Sequence, residues 1–133
     1  MTRIARFGLG RILPLCLAAR AATGAGLLYV VTHTGDASLV GSSNFCDSDP
    51  ATPGEQCTLR AAIEAANLHP GEDGIEFGLS TSDPNYDPLT DRYTIRLNSA
   101  LPALIEGVEI RGLGAARLTV RRDAGVEFRI FQV

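Results

Sequence analysis

Hydrophobic residues recur along most of the chain in short runs, and their spacing predicts mainly β-structure. The first run, LLYVVTH at 27–33, is rich in β-branched and aromatic residues and is bounded by polar, glycine-containing sequence, as strands usually are. Further strand-like segments follow between residue 74 and Val133: GIEFGL, RYTIRL, GVEIRG, RLTVRR and EFRIFQV. Short connections join the last three, without the helices of about 10–15 residues that a doubly wound α/β fold requires.

The last three of these segments are spaced regularly. Their apolar centres, Ile110, Val120 and Ile130, lie ten residues apart, and GVEIR at 107–111 recurs as GVEFR at 125–129. A period near twenty residues is typical of solenoid repeats, although two copies of five residues also arise by chance. The spacing predicts consecutive strands that step around a coil.

One segment, TLRAAIEAANL, has helical periodicity instead. Its apolar residues recur at i, i+3, i+4 and i+7, which makes one stripe along a helix. The stripe consists of Leu59, Ala62, Ile63 and Ala66. Thr58 stands where an N-cap belongs, because its hydroxyl can accept a hydrogen bond from a free amide of the first turn. Asn67 and the following HPG end the helix.

The first 24 residues have the layout of a secretory signal peptide. Cationic MTRIARFGLGR precedes apolar ILPLCLAA and then small residues, although an amphipathic or disordered tail is the alternative. All twelve cations are Arg; four precede residue 21 and all fifteen acids follow it, so cleavage would change the net charge from −3 to −7. Such an acidic chain argues against nucleic acid or anionic membrane as a partner. A membrane span needs about 20 apolar residues, and Arg20 interrupts the candidate run.

The cysteines support export independently. Cys16 lies in the apolar run and would leave with it, whereas Cys46 and Cys57 enclose the polar loop CDSDPATPGEQC. In an exported chain this pair predicts a disulfide, which would stabilise the fold by about 3 kcal/mol in the unfolded-state model. Two unrelated thiols are the alternative, and a zinc site lacks a second ligand pair.

These segments, taken in order, resemble the CSLREA-motif proteins, a family of exported, mostly bacterial chains. The resemblance rests on CTLRAAIEAAN, HPGEDGIEF and YTIRLNSALPALIEGVEIRGLGAARLTV, and extends from about Leu27 to Val133. It implies a right-handed parallel β-helix in which residues 25–133 form the N-terminal cap and first coils. The short amphipathic helix would then cover the open end of the first coil, since terminal repeats of a solenoid must be capped. The family carries no single chemistry that can be transferred.

One position departs from the family pattern. The motif's Ser and the Glu three residues later form a capping box, but this chain has Thr58 and Ala61. Loss of half the box costs on the order of 0.5–1 kcal/mol at the helix N-terminus. Glu64 lies one turn too far along to replace it, and we expect it to pair with Arg60 at i, i+4.

No residue set predicts catalysis, a metal site or a cofactor. The histidines, His33 and His69, have no nucleophile context and are interpreted as lone surface side chains. The acidic loop contains D-x-N-x-D at 83–87, but Pro88 occupies the glycine position of a calcium loop. Charges alternate with apolar residues in the strands, as at Glu109 and Arg111, which favours a solvent-facing sheet surface over an anion groove.

The sequence therefore predicts an exported, non-catalytic β-helix module that serves in surface display, adhesion or matrix contact. Carbohydrate or protein at the cell surface is the expected partner, with neither nucleic acid nor a membrane span. The alternative is the N-terminal part of a carbohydrate-active lyase or hydrolase. EFRIFQV has no polar turn after it, so either the chain continues beyond Val133 or this edge strand pairs with another chain.

Overall fold

The computed structural model describes residues 24–133 except Ser43, Glu106, Ala124 and Val126. The predicted signal segment and Cys16 therefore lie outside the described residues, apart from residue 24. Seven elements follow one another along the chain. They are β1 (Leu28–Val31), α1 (Leu59–Leu68), β2 (Asp73–Phe77), β3 (Tyr86–Asp87), β4 (Arg92–Leu97), β5 (Val108–Arg111) and β6 (Leu118–Arg122).

The strands form two three-stranded sheets. Sheet A has the order β1-β2-β5, and both of its pairs are parallel, with Tyr29 opposite Ile75 and Ile75 opposite Ile110. Sheet B has the order β3-β4-β6, in which β4 and β6 are parallel and β3 runs antiparallel to β4. Strands that are distant in sequence thus lie side by side in each sheet.

The prediction of a right-handed parallel β-helix is wrong. The described strands make two small open sheets, one of them mixed, and do not close into a coil or a solenoid. The short strand β3 lies in the polar loop and turns back onto β4, with Tyr86 opposite Tyr93. Alternation of apolar residues predicts which residues form strands, but it does not predict how the sheets are arranged. The inference from strands to a β-helix was therefore wrong. Because the described strands do not form a coil, the prediction that α1 caps one is also wrong.

The predicted last strand, EFRIFQV, is also wrong. Residues 127–133 have no strand assignment and are held by isolated backbone bonds, from Leu101 N to Ile130 O at 3.3 Å and from Leu104 N to Gln132 O at 2.9 Å. The second copy of the GVEIR pattern falls here, and its described residues do not repeat the strand formed by the first. The likeness of these two pentapeptides therefore does not extend to their structure.

Helix α1 is buried on more than its predicted stripe. Leu59, Ala62, Ile63 and Ala66 are fully buried, as expected for the stripe. Arg60, Ala61 and Ala65 are buried as well, so more of the helix surface lies in the interior than the predicted stripe. The reason is that α1 packs against β1 and β2 while the irregular segments 36–39 and 99–105 bond to its other sides.

The predicted disulfide between Cys46 and Cys57 is present, with a Cα–Cα distance of 5.0 Å and both residues buried. Backbone bonds join its loop to β1, because Cys57 O accepts from Thr32 N at 2.9 Å and from His33 N at 3.0 Å. The disulfide therefore fixes the residues immediately before α1 against the end of the first strand.

The start of α1 shows why a full capping box is absent. Thr58 is the N-cap; its hydroxyl accepts from Ala61 N at 3.0 Å and donates to Ala37 O at 2.6 Å. Ala61 is fully buried, so a Glu side chain there would bring a carboxylate into the core. The predicted pairing of Glu64 with Arg60 is wrong, because the Glu64 carboxylate accepts instead from Leu39 N at 2.6 Å.

Candidate functional site

The interior of the protein contains a buried ion pair centred on α1. The guanidinium of Arg60 donates from Nε and Nη2 to the Asp36 carboxylate at 2.9 and 3.2 Å. It also donates to Ala100 O at 2.8 Å and to Ser99 O at 2.9 Å, and Asp36 accepts from Asn98 N at 2.8 Å. All these groups are mutually satisfied, so the cluster joins three segments of chain and leaves no atom for a ligand.

The other end of α1 is fixed by Asn67, a residue expected only as part of the helix end. Its side-chain amide donates to Ala103 O at 2.7 Å, and its carbonyl oxygen accepts from Ile105 N at 3.2 Å. The amide group thus pairs with the backbone as a neighbouring strand would. Together with Thr58, it anchors each end of the helix to an irregular segment.

The interpretation of His69 as a lone surface side chain is wrong. Its Nδ1 lies 3.0 Å from Oδ1 of Asp73, which also accepts from Leu27 N at 2.7 Å. The Asp73 side chain is fully buried, and its Oδ2 has no hydrogen-bond partner among the described residues. Burial, and then the nearby Asp73 charge, raise the pKa of Tyr29 to about 12. This cluster fixes the start of β2 beside β1.

The carboxylates of the acidic loop that resembled a calcium loop accept hydrogen bonds from other parts of the protein. Asp83 accepts from Thr34 N at 3.1 Å and from Asn85 N at 2.8 Å, while Asp87 accepts from Leu89 N at 3.0 Å. The bonds from Asn85 and Leu89 are of the turn-stabilising kind that Asp makes to nearby backbone, whereas the bond from Thr34 joins the loop to the segment after β1. Among the described residues, no group of three His, Cys, Asp or Glu side chains is placed to hold a metal ion.

The outer face of sheet A carries an open cleft of about 440 Å³. We call it the sheet A groove and define it by Leu28, Glu72, Gly74, Glu76, Glu109 and Arg111. The groove exists because β2 presents Gly74 and Glu76 outward while Asp73 and Ile75 point into the protein. Its walls come from the neighbouring strands β1 and β5.

Glycine residues leave the floor of the groove without side chains at two positions. A Cβ on Gly74 would lie 3.0 Å from the Leu28 side chain, and one on Gly107 would lie 3.1 Å from the Glu72 side chain. A residue larger than glycine at either position would therefore press on a groove wall. The exposed side chains of Leu28 and Val30 add an apolar strip beside this floor.

Arg111 lies between two carboxylates in the groove. Its Nη1 is 3.1 Å from Glu76 Oε1 and its Nη2 is 2.7 Å from Glu109 Oε2, with about three-fifths of the Arg111 side chain exposed. The hydrogen bond and charge of Arg111 lower the pKa of Glu109, and the two carboxylates raise the pKa of Arg111. The guanidinium and both carboxylates are thus held side by side.

The arrangement does not match the pair of carboxyl groups that a glycosidase uses. Hydrolysis of a glycosidic bond by two carboxyl groups needs one of them to be a general acid with a raised pKa. The pKa of Glu109 moves the opposite way, and the carboxylates of Glu76 and Glu109 share one guanidinium. What the groove offers is a fixed set of hydrogen-bond acceptors and donors beside apolar surface.

A second exposed polar cluster lies on sheet B and is self-satisfied. Asp91 accepts from the Tyr86 hydroxyl at 3.0 Å and pairs with Arg117 at 3.0 Å. These bonds lower the pKa of Asp91, and the hydrogen bond to Asp91 raises the pKa of Tyr86. The Tyr86 ring packs on Tyr93 at a centroid distance of 4.8 Å. The cluster closes a turn of sheet B and leaves the sheet A groove as the stronger candidate.

Comparison of the chain with protein-family models, with curated proteins and with solved structures finds no match in any of the three. The resemblance to the CSLREA-motif proteins therefore stays a prediction from the sequence. Within the described part of the chain, no helix has the length and apolar character that crossing a membrane requires.

Proposed function

We propose that the chain is an exported, non-catalytic module that contacts neutral polysaccharide at a cell surface or matrix through the sheet A groove. The observation that carries the proposal is the open, glycine-floored groove in which Arg111 is held between Glu76 and Glu109. Export is supported by the signal-like first 24 residues and by the buried Cys46–Cys57 disulfide, because disulfides persist in oxidising compartments.

The chemistry of the groove suits a chain of sugars. Carboxylates accept hydrogen bonds from hydroxyl groups and guanidinium donates to them, so adjacent hydroxyls of one sugar can engage both kinds of group. Exposed Leu28 and Val30 provide apolar contact for the C–H faces of sugar rings. Three carboxylates against one guanidinium make the groove acidic, which disfavours uronate and sulfated polymers. A neutral polysaccharide fits these charges best.

Membership of the CSLREA-motif group is part of the same hypothesis. It is supported by the order of CTLRAAIEAAN, HPGEDGIEF and YTIRL along the chain. The exported, surface-exposed setting of that group agrees with a binding module, and the hypothesis does not depend on a β-helix.

The experiment is affinity electrophoresis of the purified protein in gels that contain soluble glucan, mannan, xylan or polygalacturonate. Retardation by a neutral polymer and none by polygalacturonate is the expected result. Glu76→Gln should weaken the retardation about three- to tenfold, because it removes a charged acceptor. Arg122→Gln, at an exposed position of β6 away from the groove, is the matched control and should leave it unchanged.

Two outcomes would contradict the proposal. One is the absence of retardation by every neutral polymer; the other is equal retardation of Glu76→Gln and the unaltered protein. Release of reducing ends from any bound polymer would instead support the alternative, part of a carbohydrate-active enzyme.

A further inference from the structure

Strand β5 is one of the two edge strands of sheet A, and β1 is the other. The inner neighbour of β5 is β2, and no other described segment forms backbone hydrogen bonds with β5. Its inward side chains, Val108 and Ile110, are only half-buried although they pack against the core. An edge of this kind presents unpaired backbone groups that another strand can join.

The hydrogen-bond pattern shows which groups are unpaired. Asp73 N donates to Gly107 O at 2.8 Å, and backbone groups of a strand point alternately to its two sides. Residues at 107, 109 and 111 therefore face β2. The N–H and C=O groups of Val108, Ile110 and Gly112 face outward from the sheet edge.

The side chains of this edge are self-complementary in one register. If two copies of β5 align antiparallel with Ile110 opposite Ile110, then Glu109 of each copy lies opposite Arg111 of the other. Those positions form non-hydrogen-bonded pairs, in which side chains approach most closely. Val108 then lies opposite Gly112, which has no side chain to obstruct it.

The same side chains oppose other arrangements. A parallel pairing of the same two edges would put Ile110 of one copy opposite Glu109 or Arg111 of the other, because a parallel ladder pairs residues whose backbone groups face the partner with residues whose groups do not. A shift of one residue would turn the inner apolar side chains to the outer face. The side-chain pattern thus favours the antiparallel two-fold pair over a parallel one.

We propose that two copies of this chain associate through β5 in this antiparallel register, with about six backbone hydrogen bonds across a two-fold axis at Ile110. Glu109 and Arg111 also form one wall of the sheet A groove. The association therefore brings two grooves onto one continuous sheet, and each copy contributes Glu109 and Arg111 to the junction. This inference is independent of what the groove binds.

The first test is sedimentation velocity of the purified protein over about a hundredfold range of concentration, because mass action shifts a dimer within such a range. A monomer–dimer equilibrium is expected. A monomer at every concentration would overturn the proposal, and so would growth of species beyond the dimer.

The second test uses charge reversal at the pairing positions. Glu109→Arg alone should weaken association by at least about tenfold, because two arginines then face each other across the axis. Arg111→Glu should have the same effect through two glutamates. An equimolar mixture of the two variants should form a heterodimer, since each Arg then meets a Glu.

The mixture of the two variants is the most informative experiment, because association that is restored in the mixture cannot result from a damaged fold in either variant. Failure of the mixture to associate, with both variants retaining the circular dichroism of the unaltered protein, would overturn the proposed register. Should Arg111→Glu fold poorly beside Glu76, the backbone variant Ile110→Pro replaces it. Proline removes an outward N–H without touching the bonds to β2, and it should abolish the dimer. Ile110→Val keeps that N–H and should dimerise normally.

Discussion

The surroundings of α1 and the β5 end of sheet A differ in whether their polar groups have partners within the protein. Around α1, each charged or polar side chain that enters the interior has its partner: Arg60 has Asp36, Thr58 has Ala37, and Glu64 has Leu39. At the β5 end, the outer side of the strand pairs with no other described strand, and Val108 and Ile110 are half-buried. The first region holds the fold together, and the second has the capacity to bind something else.

This contrast is physical, since a buried polar group without a partner costs far more than an exposed one. Irregular segments such as 36–39 and 99–105 lie against α1 only because its side chains satisfy their backbone groups. At an exposed strand edge solvent can take the place of a partner, so β5 does not require one and is still able to pair.

The largest effect is expected from a charge in the buried face of α1. Ile63→Asp places a carboxylate at a fully buried position without a partner, and the loss should exceed about 4 kcal/mol and prevent folding. The measurement is thermal unfolding by circular dichroism together with the yield of purified protein. Leu68→Asp is the matched control on the same helix, because Leu68 is largely exposed. Unchanged melting of Ile63→Asp would contradict the assignment of this face to the core.

The buried ion pair should come next. Arg60→Ala removes the guanidinium from the buried Asp36 carboxylate and from the carbonyls of Ser99 and Ala100, which should cost about 3–5 kcal/mol. Arg96→Ala removes the same side chain at an exposed position of β4 and should change stability by less than about 0.5 kcal/mol. Both values come from urea unfolding.

Arg60→Lys sharpens this experiment. Lysine keeps the charge but cannot reproduce the fork that reaches both Asp36 and the carbonyl of Ser99. An intermediate loss is expected; equal stability of Arg60→Lys and the unaltered protein would show that charge alone matters here.

Removal of the disulfide should have a somewhat smaller effect. Reduction of Cys46–Cys57 should lower the free energy of unfolding by about 2–4 kcal/mol, because the unfolded chain regains the freedom that the link removes. Dithiothreitol titration of the melting temperature measures it. The double variant Cys46→Ala, Cys57→Ala should melt low with or without the reductant; sensitivity of that variant to dithiothreitol would contradict the explanation.

The two regions also differ in how well the sequence predicts them. The limits of β4 coincide with RYTIRL, and α1 begins directly after its N-cap Thr58, because local periodicity and capping determine both. β3 was missed since Asp and Pro in its loop favour turns, and EFRIFQV failed because a strand needs a neighbour that the sequence does not specify.

The groove could not be predicted in the same way. Glu76 and Arg111 meet because β2 and β5 pair in a particular register, although the residues are thirty-five positions apart. The link between His69 and Asp73 did leave a signal, since the two residues are four positions apart across the end of α1. Burial of Arg60 could not be predicted from the sequence, because a lone arginine on a helix is usually exposed.

The smallest effect, a pH dependence, tests whether the inside of sheet A is as closed as the surroundings of α1. Tyr29 is buried near the charge of Asp73, and its pKa is raised from 10.0 to about 12. Between these pH values the hydroxyl ionises in the unfolded chain and stays neutral in the folded one, so ionisation favours unfolding. Stability from this group is therefore complete below pH 10 and is lost as the pH rises towards 12. Urea midpoints should fall across this range, and Tyr29→Phe should flatten the profile even if the variant is less stable throughout. An equally steep profile for Tyr29→Phe would mean that the buried face of β1 admits water, and that the closed and open regions are less distinct than their contacts indicate.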